Sequence, residues 1–133
     1  MALVYFGLGT NLGDKEKNLC LAIDKIRERI GRITSQSAFY ASEPWGFQST
    51  NSFLNAVVCA ETSISPLQLM EETQEIEKEI GRNKKSVNGT YSDRVIDIDI
   101  LLYDNLILST ENLTIPHPLM TERLFVMKPL CEI

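Results

Sequence analysis

Hydrophobic and polar positions follow two different periods along this chain. Residues 2–9 (Ala-Leu-Val-Tyr-Phe-Gly-Leu-Gly) form a short, nearly continuous apolar run, which predicts a buried strand. Residues 10–14 follow as a turn, and the glycines of Gly7-Leu8-Gly9-Thr10-Asn11-Leu12-Gly13 read as a tight strand-to-helix turn, since they match neither the P-loop nor the dinucleotide fingerprint. Leu19, Ile23, Ile26 and Ile30 then recur at helical spacing, with Gly31 as the stop. Residues 33–42 read as extended and residues 42–52 as a loop, with Trp45 and Phe47 as a candidate ligand lid. Residues 53–62 predict a strand. Ser65 and Pro66 open a second helix, with Gln68 at the capping-box position, an inner face of Leu69, Met70, Thr73, Ile76 and Ile80, and Gly81 as the stop.

Past a polar loop at 82–93, strict alternation returns in Arg94-Val95-Ile96-Asp97-Ile98-Asp99-Ile100-Leu101, predicting a strand over about 95–103. Asp104-Asn105 reads as a turn, Leu106 to Leu108 as a returning hairpin strand, Ile115-Pro116-His117-Pro118 as stiff extended chain, and Leu119 to Phe125 as helical. The resulting order, β-α-β-β-α-β with C-terminal additions, predicts an α+β ferredoxin-like sandwich: an antiparallel sheet with helices packed on it.

Alternation puts Ile96, Ile98 and Ile100 on one face and Asp97 and Asp99 together on the other, with α-carbons about 6.6 Å apart. That spacing suits carboxylates that share hard cations, and it equally describes a solvated acidic face. Arg82, Lys84, Lys85 and Arg94 bracket the strand and follow a helix rich in Glu71, Glu72, Glu75, Glu77 and Glu79, so an anion site is expected on an otherwise acidic chain. Arginine offers planar, bidentate donors to phosphate oxygens. Phe53 and Asn55, two apart on one strand face, suit stacking on and reading a flat heterocycle, or simply an ordinary strand with a core Phe.

Length and composition set the frame. The chain has 133 residues, 44% of them hydrophobic, which predicts one domain over 1–133. A net charge of −5 argues against nucleic acid as a partner. No run is long enough to span a bilayer, and Cys20, Cys59 and Cys131 fit neither a metal-ligand spacing nor a disulfide framework, so a cytoplasmic protein is expected. A monomer is the accompanying expectation, though nothing in the sequence gives oligomeric state.

Taken together, these blocks resemble the 6-hydroxymethyl-7,8-dihydropterin pyrophosphokinase family of folate biosynthesis. The resemblance runs from Gly7–Asp14 through Phe39–Pro44, Phe53–Val57, Ile76–Arg82 and Arg94–Leu101 to Ile115–Pro118, Arg123–Val126 and Pro129–Ile133, covering nearly the whole chain in order. Its specific part is the Arg-x-x-Asp-x-Asp block joined to Pro-His-Pro. The resemblance implies transfer of the β,γ-diphosphate of ATP to the pterin hydroxymethyl group, releasing AMP. It implies that Asp97 and Asp99 bind two Mg2+ ions, with Arg82 and Arg94 engaging the phosphates. The pterin would lie between Phe53 and Phe125, read by Asn55 and by backbone near Ser42, Glu43 and Trp45. ATP would meet Gln74, Glu77, Lys84, Arg94, Ile100, Thr114, His117 and Arg123, with Ile100 and Thr114 acting through their backbone on the adenine. Tyr91 stands where the family usually has tryptophan, and Asn112 replaces a frequent cation. The motifs themselves leave two other classes open: a non-catalytic ligand-binding module, and a metal-dependent phosphodiesterase.

Overall fold

The computed structural model describes residues 1–42, 53–81, 95–109, 113–117, 131 and 133. Their elements are β1 (Ala2–Thr10), α1 (Lys15–Arg29), β2 (Arg32–Gln36), β3 (Tyr40–Ser42), β4 (Phe53–Thr62), α2 (Pro66–Gly81), β5 (Asp97–Tyr103), β6 (Leu108–Ser109) and β7 (Thr114–Ile115). The main sheet runs β2-β4-β1-β5, with β3 also paired to β4 and every pairing among the described residues antiparallel. With β2 and β3 sharing one strand position, this is the ferredoxin-like order.

The apolar periods explain the layers. Val4, Phe6 and Leu8 of β1, Ala56, Val58 and Ala60 of β4, and Ile98 and Ile100 of β5 point to one side of the sheet. There they meet Leu19, Ala22, Ile23 and Ile26 of α1 and Leu69 and Ile76 of α2 in one buried cluster. Both helices start where the sequence predicts. The Asp14 carboxylate accepts from Lys17 N at 3.1 Å, and Ser65 Oγ accepts from Gln68 N at 3.3 Å. None of the three cysteines is in a disulfide. Among the described residues no helix is long and apolar enough to cross a membrane.

On their outer sides the helices are tied together by Glu79, which accepts from Lys25 Nζ at 2.8 Å and pairs with Arg29. The Lys25 hydrogen bond is the main reason that the Glu79 carboxyl titrates below the ordinary glutamate value; the nearby Arg29 and Lys25 charges add to it, against a smaller opposing effect of desolvation. A depressed folded-state pKa stabilises the fold above the unfolded pKa, and that stabilisation is lost as pH falls through the folded value. Glu79→Gln is therefore expected to lower Tm at neutral pH, modestly because the site is wet. The gap from wild type should close in acid, and a gap independent of pH would refute this account.

Three local expectations are corrected. The stretch 33–42 is two strands, because Ser37 takes up ladder positions itself: Ser37 N donates to Val57 O and Val57 N donates to Ser37 Oγ, both at 2.9 Å. Gly7 and Gly9 lie within β1, which continues to Thr10; of this glycine group only Gly13, at φ 71°, serves the turn. The chain does turn at Asp104 and Asn105, but β6 pairs with β7, not back onto β5. Asp104 instead closes the end of the main sheet, its amide donating to Leu3 O at 2.8 Å and its carboxylate accepting from Leu3 N at 2.7 Å. The loops at 43–52 and 82–93 and the helix expected at 119–125 lie outside the described residues.

Candidate active site

The face of the sheet turned away from the helices holds several of the candidate residues. Register places Tyr40, Asn55, Gly9 and Asp97 in one row across β3, β4, β1 and β5. The neighbouring row holds Val57, Gly7 and Asp99. Directly opposed residues of antiparallel strands point the same way, so Phe53, Asn55, Asp97 and Asp99 share this face. With strands about 4.8 Å apart, Asn55 and Asp97 stand about 10 Å from each other across the glycine strand. The two glycines leave the strip between them without side chains.

Asp97 and Asp99 are half-buried, held on this side by the burial of Ile96, Ile98 and Ile100 on the other. One residue beyond, a bulge places an extra β5 residue opposite β1 between Tyr5 and Phe6. Leu101 and Leu102 pack there with Val57, Tyr5 and Ile133, which closes that end of the face with apolar surface. Two oxygen donors at this spacing fit a hard cation whose other positions go to water and phosphate oxygens. Among the described residues no three His, Cys, Asp or Glu side chains converge as an all-protein cage would.

The outer edge of β5 carries a second group. Ile98 N donates to Glu77 Oε2 at 2.7 Å, so the amides of Ile98 and, two residues on, Ile100 point away from β1. Leu101 O accepts from His117 N at 3.1 Å on the same edge. Glu77 and Gln74 lie one helical turn apart on α2, and β7, bearing Thr114, packs beside β5. The Ile115–Pro116 bond in the segment leading to His117 is cis.

The expected residues thus separate into three places. Phe53 and Asn55, with the Ser42 backbone paired opposite Phe53, sit on β4 and β3. Asp97 and Asp99 sit two strands away on the same face. Glu77 and His117 meet the β5 edge that carries Ile100, with Thr114 on the adjacent β7 and Gln74 one helical turn from Glu77 on α2. Glu43, Trp45, Arg82, Lys84, Arg94, Arg123 and Phe125 lie outside the described residues. Sequence reading missed what Gly7 and Gly9 do; glycines two apart inside a strand pattern were the available signal.

The chain matches the family model described as 7,8-dihydro-6-hydroxymethylpterin-pyrophosphokinase (HPPK) over residues 5–133. It is 46% identical to the 2-amino-4-hydroxy-6-hydroxymethyldihydropteridine pyrophosphokinase of Porphyromonas gingivalis, covering 100% of this chain and 91% of the relative. The protein of the same name from Aquifex aeolicus is 42% identical, with 100% and 81% covered. Among solved structures, an HPPK-DHPS crystallised in complex with substrates superposes with a TM-score of 0.75 at 15% identity. It covers 99% of this chain, which spans only 40% of that longer one. At that identity the superposition speaks for the fold, and the sequence matches speak for the family. The chain belongs to the 7,8-dihydro-6-hydroxymethylpterin-pyrophosphokinase family.

Proposed function

We propose that this protein transfers the diphosphate of ATP to the hydroxymethyl group of 6-hydroxymethyl-7,8-dihydropterin, releasing AMP, in folate biosynthesis. The observation that carries the reading is the order of groups across one sheet face: Phe53 and Asn55, then a bare glycine strip, then Asp97 and Asp99, with the β5 edge beyond. That order suits an acceptor, a phosphate-transfer centre and a nucleotide laid side by side.

In this scheme the hydroxymethyl oxygen attacks the β-phosphorus of ATP. The bond from that phosphorus to the α,β-bridging oxygen breaks, and AMP leaves with the oxygen. Asp97 takes the hydroxyl proton, as the family resemblance implies. Phe53 stacks on the pterin and Asn55 hydrogen-bonds its polar edge, the opposing ring being Phe125, with Ser42, Glu43 and Trp45 completing the pocket. The outward amide of Ile100, bracketed by Glu77 on Ile98 and His117 on Leu101, suits the hydrogen-bonding edge of adenine, with Gln74 and Thr114 beside it. Arg82, Lys84, Arg94 and Arg123 supply phosphate contacts. Two magnesium ions held by Asp97 and Asp99 would offset the phosphate charge and polarise the reacting oxygens. Closing the site matters because water would otherwise compete as acceptor. The working unit is a single cytoplasmic domain acting as a monomer on small molecules.

The test is AMP release from Mg-ATP with and without the dihydropterin, with a metal-chelated control. AMP that appears only with both pterin and magnesium supports the scheme. ADP, inorganic phosphate or no cleavage would set it aside.

A further inference from the structure

Gly9 carries no side chain at the point where β1 passes beneath both residues proposed to hold the pterin. A Cβ built on it would meet Asn55 Oδ1 at 3.1 Å and the Phe53 ring at 3.6 and 3.9 Å. Asn55 cannot readily give way. It is buried, at 3% exposure, and sits between Gly9 on one side and Tyr40 on the other, its Nδ2 donating to Tyr40 O at 3.3 Å. The backbone of Gly9 is not in the left-handed region, where among the described glycines only Gly13 is found. A methyl group here would therefore act through contact and not through backbone strain.

We infer that Gly9 is a positioning residue for the acceptor: its bare α-carbon lets the Asn55 amide and the Phe53 ring settle low against β1, and so sets selectivity for a flat bicyclic substrate. This rests on the reading of Phe53 and Asn55 given above. Gly7 supplies an internal contrast. It lies on the same strand and face, but the nearest atoms a Cβ there would meet are those of the Leu101 side chain, at 3.4 to 3.6 Å. That is ordinary van der Waals contact, whereas the 3.1 Å approach at Gly9 is to an amide held by its own hydrogen bond.

Steady-state kinetics with the dihydropterin and Mg-ATP test this on wild type, Gly7→Ala, Gly9→Ala, Asn55→Ala and the Gly9→Ala/Asn55→Ala pair. Gly9→Ala is expected to raise the pterin KM about tenfold while the ATP KM stays within about twofold. Gly7→Ala should leave both within about twofold, and Gly9→Ala should add less than about twofold once Asn55 is alanine. If Gly9→Ala lowers Tm, it should lower it no further in the Asn55→Ala background, since the clashing amide is gone there. A pterin KM unmoved by Gly9→Ala, an equal rise in both KM values, or a full penalty or lowered Tm persisting in the Asn55→Ala background overturns the inference. Absence of pterin-dependent AMP from wild type would strike the proposed function instead.

Discussion

Asp97→Ala and Asp99→Ala are each expected to cut pterin-dependent AMP formation by about 10³-fold at saturating substrates, an effect in the range of losing one preorganised group that stabilises transition-state charge. The two carboxylates stand on one half-buried face of β5, while the core contacts of that strand are made by Ile96, Ile98 and Ile100 on the other. Removing either aspartate therefore spares the helix-side packing and also relieves the repulsion of like charges side by side. Far-UV circular dichroism and the unfolding midpoint should stay close to wild type while turnover collapses. Asn at either position keeps the side-chain size and loses the charge, so it should fall almost as far. A magnesium titration gives the finer reading. If the pair holds the cations, any residual rate needs more magnesium to reach half-maximum. Normal turnover in both alanine variants would leave the acidic face with no part in the chemistry.

The order of elements and the faces of the strands were legible because they rest on period alone. Two isoleucine–aspartate repeats can satisfy a half-buried strand in only one way, and the spacing of Leu19, Ile23 and Ile26 admits only a helix with one buried stripe. Which strand lies beside which is not a local property. Nothing in residues 2–10 announces that Gly9 will sit between Asn55 and Asp97, because those partners come from β4 and β5, both distant in the chain. For the same reason the glycine run looked like a turn: glycine permits a turn, but it also permits close approach, and only the neighbours decide between them. The hairpin expected after Asp104 failed differently. The turn formed as composition suggested, yet the outer edge of β5 is met instead by the Glu77 carboxylate on Ile98 N and the His117 amide on Leu101 O. A side chain from a helix and a distant backbone group outcompeted local strand pairing. The grouping of the residues proposed for ATP came from resemblance, since no spacing rule links Gln74 and Glu77 on α2 to Thr114 and His117.

Gly31→Ala should be the most destabilising substitution among the described glycines, by about 3 kcal/mol, the upper part of the usual range for overpacking. As the residue after the α1 cap it reads in sequence as a helix stop, but the structure gives it a stricter role. A Cβ there would stand 1.8 Å from Glu61 O and 2.9 Å from Glu61 C, both backbone atoms of β4 that no rotamer change can move. Retreat is blocked from three sides. Gly31 N donates to Ile26 O at 3.1 Å, Thr62 Oγ1 donates to Ile30 O at 2.8 Å, and Arg32 is already in register opposite Glu61. Shifting the chain to admit a methyl would break the cap, the buried threonine bond or the β2–β4 ladder. A loss of this size is a large share of the roughly 5–15 kcal/mol that holds a domain folded. Urea unfolding should show a lower midpoint with an unchanged slope. Gly7→Ala, whose nearest contacts stand at the ordinary van der Waals distance of 3.4 to 3.6 Å, should cost less than about 1 kcal/mol by the same measurement. The damage should spare the chemistry of the molecules that remain folded. Register puts Glu61, whose carbonyl Gly31 meets, opposite Leu3 and Asn55 opposite Gly9, so the Gly31 contact and the Asn55 end of the candidate site lie about 20 Å apart along β1 at 3.3 Å per residue. Both KM values are therefore expected to match wild type at low temperature, and a midpoint equal to wild type would show that the α1–β2 junction is looser than its packing implies.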